Sequence, residues 1–400
     1  MVILHTADLH LGKRLGKASR LDEQALLIKE LADIADARAV DVILIAGDIF
    51  DNIVPPSEAE RVFYRGMLSL AERGRAVIAL AGNHDDERRL CAAKPLADLQ
   101  GIVLAGELDY SALGAESFTE PVPPASLLSV ASAADYLEKQ RIRMEGRFGG
   151  VTVFKGDEKV NIALVPYPSE SRLARWAEQD YNIDYVERVK STLASACEFF
   201  DDGYNILCTH LFLTKSESGS LGGLMALPTS VLPETADYIA LGHVHKQYKI
   251  TKTPLAVYSG SPLQYAYDES RTKSVMLIDT AKRTVEAVPL NVGKKLTETT
   301  ADNFDECMQK LDFYSGDYVR ILYDGEALSK DEATAIKSHP AFNDLIITAT
   351  ARGTVAERRA HLGDGELFEM FYRKTKGADP SEELKANFVT LMKELKNEAD

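Results

Sequence analysis

The chain has 400 residues, 45% of them apolar and 27% charged, and its 46 Lys and Arg against 61 Asp and Glu give a formal net charge of −15. That length suffices for a buried core and for two or three domains, and no apolar run approaches the ~20 residues needed to span a bilayer. The acidic balance argues against long-range attraction to nucleic acid or an anionic membrane, and four scattered cysteines (Cys91, Cys197, Cys208, Cys307) without a CxxC pair argue against a disulfide framework or zinc ribbon. Met1 to Thr6 run straight into a strand-like segment rather than a signal peptide, so an intracellular, soluble protein is expected.

In chain order, Val2 to Thr6 reads as a short apolar strand ending at Asp8. Leu27, Ile28, Leu31, Ile34 and Ala35 then recur at helical spacing. Val42 to Ala46 is a second strand, ending in Gly47-Asp48. Pro55-Pro56-Ser57 followed by Glu58 and Glu60 marks a helix start, continued by Ala59, Phe63, Gly66, Met67 and Leu70. Ala76 to Ala81 is a third strand, ending in Gly82-Asn83-His84-Asp85. This β-α-β-α-β rhythm predicts a mostly parallel, helix-flanked sheet. Further on, Val151 to Lys155 and Val160 to Val165 predict a hairpin around Gly156-Asp157. Strands are also expected at Asn205 to Thr209, at Tyr238 to Leu241 and at Ser274 to Asp279. A smaller α/β unit follows, with helices around Phe304 to Leu311 and Asp331 to Ser338, and strands at Tyr318 to Tyr323 and Leu345 to Ala351. Asp379-Pro380-Ser381-Glu382 opens a terminal helix whose apolar face is Leu384, Phe388, Leu391, Met392 and Leu395.

Five strand ends carry the same kind of cargo: Asp8-Leu9-His10, Gly47-Asp48, Gly82-Asn83-His84-Asp85, Thr209-His210 and Gly242-His243-Val244-His245. In open α/β sheets ligands bind beyond the carboxyl ends of the strands, so motifs distant in sequence converge there. Each motif alone is compatible with a turn or a cap. Together they hold five of the eight histidines, and His5, His339 and His361 are assigned to structure or surface. Carboxylates and an amide oxygen suit hard cations, while imidazoles suit first-row metals. Asp8, His10, Asp48, Asn83, His210, His243 and His245 are therefore candidate metal ligands, and their mixture favours manganese, iron or zinc over calcium. Seven ligands suffice for two ions if one carboxylate bridges them, roughly 3.5–4 Å apart, an arrangement suited to phosphoryl chemistry. His84 has no evident ligand role, and its imidazole suits charge stabilisation or proton donation to a leaving oxygen. Glycines at 47, 82 and 242 allow tight turns before these residues. Lys13, Arg14 and Arg20 lie near the first motif, where exposed basic residues are usually only solvated.

The motif set resembles the calcineurin-like metallophosphoesterases. Segments 3–14 (ILHTADLHLGKR), 46–56 (AGDIFDNIVPP), 81–85 (AGNHD) and 258–269 (YSGSPLQYAYDE) resemble the bacterial branch of the Mre-type DNA-repair nucleases, and Asp51 fits that branch where other relatives carry histidine. The resemblance implies an α/β sandwich of two mixed sheets flanked by helices over residues 1–288, a small α/β capping domain over 289–355 and a helical segment over 356–400. It implies that Asp8, His10, Asp48 and His245 hold one manganese (alternatively iron, zinc or magnesium) and Asp48, Asn83, His210 and His243 the other. Asp48 is then the bridge and His84 the transition-state residue. It further implies a homodimer that degrades DNA ends 3′ to 5′ and cuts hairpins and single strands, partnered by an SbcC-like ABC-type ATPase with a long coiled coil. That partner would be the only user of ATP. Leu367, Phe368 and Phe371, with Leu384, Phe388, Leu391, Met392 and Leu395, are the candidate surface for it. A cytoplasmic, nucleoid-associated enzyme is expected. The rival readings are a phosphoesterase of the same superfamily acting on nucleotides or other small phosphoesters, and a non-catalytic scaffold for the ATPase.

Overall fold

The structure, a computed structural model, describes residues 1–16, 18–110, 117–119, 142–176, 184–215, 220–221, 224–348, 368–369, 371–373, 379–381, 384–385 and 388. The chain forms two compact units, Met1–Glu217 with Leu227–Leu296, and Ser218–Ala226 with Thr297–Asp400. Among the described residues no helix is long and apolar enough to cross a membrane.

Two mixed sheets build the first unit. One runs in the order Thr284–Leu290, Lys273–Asp279, Val2–Thr6, Val42–Ile45, Ala76–Leu80, Ile102–Ala105. Its last four strands are parallel, as the β-α-β rhythm predicts, and the strand Lys273–Asp279 closes antiparallel on Val2–Thr6. The other has eight strands, in the order Tyr248–Lys252, Leu255–Tyr258, Tyr238–Gly242, Tyr204–His210, Glu158–Val165, Gly150–Lys155, Ile142–Arg147, Ser117–Thr119. The hairpin expected around Gly156-Asp157 is its antiparallel pair Gly150–Lys155 and Glu158–Val165.

The sheets pack face to face because alternate residues of each strand are apolar on both sides. Ile3, Leu44, Ile78 and Val103 meet Val153, Ile162, Ile206 and Ala240 between the sheets. Their neighbours Leu4, Ile43, Val77 and Leu104 pack outward on Leu27, Leu31, Phe63 and Met67 of the helices Leu21–Ala37 and Ser57–Ala71. Leu207, Ile239 and Ala256 pack outward on Val189 and Leu193 of the helix Tyr185–Ala196. Strands covered on both faces read as continuous apolar runs, which is why the sequence shows them so clearly. A polar pair links the two sheets: the Nδ1 of buried His5 is 2.9 Å from the hydroxyl of Tyr238, from the opposite sheet.

In the second unit, the strands Leu296–Ala301, Tyr318–Tyr323 and Phe342–Ile347 form a three-stranded sheet. Cys307, Leu311, Val319, Ile321 and Ile336 form its core with the helices Phe304–Phe313 and Lys330–Ser338. The strand expected at 345–351 instead begins at Phe342, which pairs opposite Val319; the register then skips Asn343 and sets polar Asp344 opposite Arg320. Residues 349–351 lie outside the described residues. The strand Leu296–Ala301 was not expected, because its run LTETTA is apolar only at its ends. Of the candidate partner surface, Phe368 and Phe388 stack with ring centroids 4.3 Å apart. Phe371 and Leu384 are exposed, and Leu367, Leu391, Met392 and Leu395 lie outside the described residues.

Candidate metal centre

All five motifs meet at one end of the sandwich. Asp8, His10, Asp48 and Asn83 follow strands of the first sheet, while His210, His243 and His245 close or follow strands of the second. Turning off a strand end towards the other sheet needs unusual backbone. Asp8, His10, Asp48 and His243 all have positive φ, at 55°, 44°, 50° and 101°. Non-glycine residues held in that region concentrate at functional sites. Gly47 makes the tight turn expected of it, at φ +94°, and all three glycines also clear space. A Cβ at Gly47 would strike the His210 ring, at Gly82 the Asp48 carboxylate, and at Gly242 the Ala46 carbonyl.

Asp8, His10 and His245 form one cluster of potential ligand atoms; His10, Asp48 and His84 a second; Asp48, His210 and His243 a third. Asp48 connects the clusters: its Oδ2 lies 3.7 Å from His10 Nε2 and 3.4 Å from His210 Nε2. Asn83 Oδ1 lies 3.0 Å from His210 Nε2 and 2.9 Å from His243 Nδ1. His10 and His245 turn their Nε2 atoms towards each other at 3.0 Å. Asp8 also pins the backbone, since both its carboxylate oxygens accept from the His243 N–H, at 3.0 and 3.2 Å.

The surroundings prepare these nitrogens as donors to a cation. His210 Nδ1 lies 2.8 Å from the Ala46 carbonyl and His245 Nδ1 2.8 Å from the Glu269 carboxylate. Both acceptors hold the proton on Nδ1, leaving the Nε2 lone pair for the centre, as partners of metal-bound histidines do. Electrostatics agree for Asp48 and His243, whereas His210 keeps a proton on Nε2 until a cation displaces it. Burial alone would raise the Asp48 carboxyl, but His210 beside it holds Asp48 well below the usual carboxylate range. Burial also works against charge on His210, yet the Asp48 carboxylate overrides it and pushes that imidazole up to about 9. Burial, and next His210 itself, press His243 down to about 3, keeping it a neutral donor. Buried carboxylates, an amide oxygen and inward lone pairs are a donor set that fits divalent cations of borderline hardness.

His84 is placed differently. Its backbone N–H donates to Asp48 Oδ1 at 2.9 Å, and its Nδ1 lies 2.8 Å from the Asp51 carbonyl. With the Nδ1 proton given to that carbonyl, Nε2 is the free atom of the ring. His84 lines an open pocket of about 490 Å³ together with Asp51, Asn52, Ile53, Val54 and Asn83.

Several functional positions escaped the sequence reading. Glu269 holds His245 and is itself held by Lys273 at 2.7 Å. The Asp85 carboxylate accepts from the backbone N–H groups of Ile49, Phe50 and Gly82, tying the third motif to the second. A sixth strand end also contributes: Tyr167, just past Glu158–Val165, stacks on His243 with centroids 6.3 Å apart. Only the segment 258–269, through its resemblance, hinted at Glu269. The basic residues near the first motif have other engagements. Arg20 is buried and paired with Glu23 at 2.9 Å, and Lys13 pairs with Asp51 at 2.8 Å. His339 lies 3.1 Å from Asp312, far in sequence from the centre, and His361 falls outside the described residues.

The family model described as calcineurin-like phosphoesterase matches residues 1–247. The chain is 32% identical to the SbcD component of the SbcCD nuclease of Bacillus subtilis (strain 168), over 100% of this chain and 99% of that protein. It is 27% identical to the protein of the same name from Escherichia coli (strain K12), over 75% of this chain and 70% of that one. It is also 27% identical to that of Rhodobacter capsulatus, over 70% and 67%. A metal-competent cluster at the mouth of a two-sheet sandwich and a full-length match thus point the same way, and the chain belongs to the calcineurin-like phosphoesterases, among the SbcD-type enzymes.

Proposed function

We propose that this chain is a manganese-dependent DNA nuclease, a 3′-to-5′ exonuclease on duplex ends and an endonuclease on hairpins and single strands. It would act as a homodimer in the cytoplasm with an SbcC-type ABC ATPase. The observation that supports this best is Asp48 shared by two clusters of potential ligand atoms, His10–Asp48–His84 and Asp48–His210–His243, beside an open pocket with His84 on its wall. The full-length similarity to a protein named as the SbcD component of an SbcCD nuclease supports DNA as the substrate and SbcC as the partner. In this reading residues 289–355 cap the nuclease domain, and 356–400 dock on the coiled-coil base of the ATPase.

Asp8, His10, Asp48 and His245 would hold one ion, and Asp48, Asn83, His210 and His243 the other, with Asp48 shared. A pair of divalent ions supplies an activated water at neutral pH and charge neutralisation on a phosphoryl group. The residues of the chain do the rest. Glu269 and the Ala46 carbonyl fix the tautomers of His245 and His210. The Asp51 carbonyl holds the His84 Nδ1–H, so that the imidazolium form would present its Nε2–H to a phosphoryl oxygen or give that proton to the leaving oxygen.

The test uses purified chain with manganese on a labelled hairpin duplex and on a small aryl phosphodiester, with and without the ATPase and ATP. Asp48→Ala and His84→Ala run alongside. Manganese-dependent DNA cleavage, lost in both variants, is expected. Hydrolysis of the ester without DNA cleavage would instead favour a small-phosphoester enzyme, the reading to which the net charge of −15 lends weight. No hydrolysis of either substrate would leave the scaffold reading.

A further inference from the structure

A buried guanidinium grips the turn that carries Asn83 and His84. Arg172, on the short helix Glu170–Trp176, is 5% exposed. Its Nη1 donates to the carbonyls of Gly82 at 2.9 Å and Tyr167 at 3.0 Å, and its Nη2 donates to the carbonyl of Asp85 at 2.7 Å. Its Nε donates to Glu87 at 3.1 Å, and that ion pair balances the buried charge. Gly82 and Asp85 bracket Asn83 and His84, so two of these bonds close over the two residues. Tyr167, held by the third, donates its own N–H to the Ala81 carbonyl at 3.0 Å and stacks on His243.

Buried carbonyls need donors, but any donor would meet that need. A guanidinium differs in being a rigid planar fork whose donors keep fixed spacings, which a lysine ammonium cannot reproduce. Asp85 ties the same turn to Ile49 and Phe50 on the loop that bears Asp48. With one end on that loop and the other on Arg172, the turn has its position set relative to Asp48 from both sides.

We infer that Arg172 is a positioning residue: through the Gly82 and Asp85 carbonyls it sets Asn83 and His84 against Asp48. The inference rests on the roles proposed above for Asn83 and His84. Displacement of reacting groups by about 1 Å costs about 10²-fold in rate, so the effect belongs in kcat rather than KM.

Arg172→Ala and Arg172→Lys in the full-length chain test it, with Mn2+ alone in calorimetric titrations and a small aryl phosphodiester in kinetics. Arg172→Ala is expected to lower kcat about 10- to 100-fold with KM within about twofold. The lysine variant should recover little, and added guanidinium ion should restore part of the rate. The affinity for one of the two Mn2+ ions should fall as Asn83 loosens. In a His84→Ala background the same change should cost less than in the parent, because the two act as a unit. Unchanged kcat and Mn2+ affinity in folded Arg172→Ala would overturn the inference. So would a loss that guanidinium does not relieve and that tracks the fraction of unfolded protein. If the parent chain hydrolyses no phosphodiester, the proposed function fails, while the Mn2+ titration still decides the role of Arg172.

Discussion

His245 donates from Nδ1 to Glu269 at 2.8 Å, and Lys273 donates to the other oxygen of the same carboxylate at 2.7 Å. Burial works against charge on Glu269, but His245 and Lys273 outweigh it and hold the carboxyl at about 2. The pair is thus a charged support behind one candidate ligand. Glu269→Gln keeps the size and an acceptor oxygen but removes the charge. One of two Mn2+ affinities is expected to weaken about 10- to 100-fold, read by calorimetric titration. Two ions bound with parental affinities would show that Glu269 does not support the centre.

His84→Ala separates chemistry from metal binding. The side chain reaches the Asp51 carbonyl, while the link to Asp48 runs through the backbone N–H, which alanine keeps. Catalysis should fall about 10²- to 10⁴-fold with the Mn2+ isotherm unchanged. Loss of an ion in this variant would move His84 into the ligand set.

Gly47→Ala attacks the site through its walls. The residue has φ +94°, and a Cβ there would meet the His210 ring. Backbone strain and collision together should cost about 1–3 kcal/mol of stability and should displace His210. Thermal unfolding and metal content should fall together; a variant with parental metal content and melting temperature would contradict the close packing described.

The His5–Tyr238 pair predicts an acid limit to stability. Burial presses His5 down to about 3 from an ordinary value of 6.5. Below 6.5 the unfolded chain takes up a proton that the folded chain refuses, so the contribution is complete above that pH. It erodes as the pH falls towards 3. At pH 5 the loss amounts to about 2 kcal/mol. His5→Gln retains a partner for Tyr238 without titrating. The stability difference between parent and variant, from denaturant unfolding, should therefore shift by that amount between pH 8 and pH 5. A pH-independent difference would mean that His5 is protonated in the folded state.

The sandwich was legible where its strands are covered on both faces, because Val42–Ile45 and Ala76–Leu80 then read as unbroken apolar runs. The five motifs were legible because each follows such a run. What the sequence hid are positions whose meaning exists only in three dimensions. Arg172 and Glu269 resemble any surface charge until the fold buries them against motif residues that lie 87 positions away in one case and 24 in the other. Leu296–Ala301 and the start of Phe342–Ile347 were hidden for another reason. Their polar residues take strand conformation from the ladder beside Tyr318–Tyr323 rather than from any pattern of their own. The charge of −15 sums the whole chain and does not describe the centre itself.

The strand Val2–Thr6 occupies the middle of its sheet, flanked on one side by Val42–Ile45 and on the other by Lys273–Asp279. The first strand made is therefore sealed by nearly the last of its unit, across a gap of more than 270 residues. Asp8 and His10 emerge from that central strand, so two of the seven candidate ligands stay at an open sheet edge until the chain returns. Pairings this distant are slow to form. Metal uptake should thus be a late event in maturation, a signal that the sheet has closed, and nascent or truncated chains ending before residue 273 should carry no competent centre.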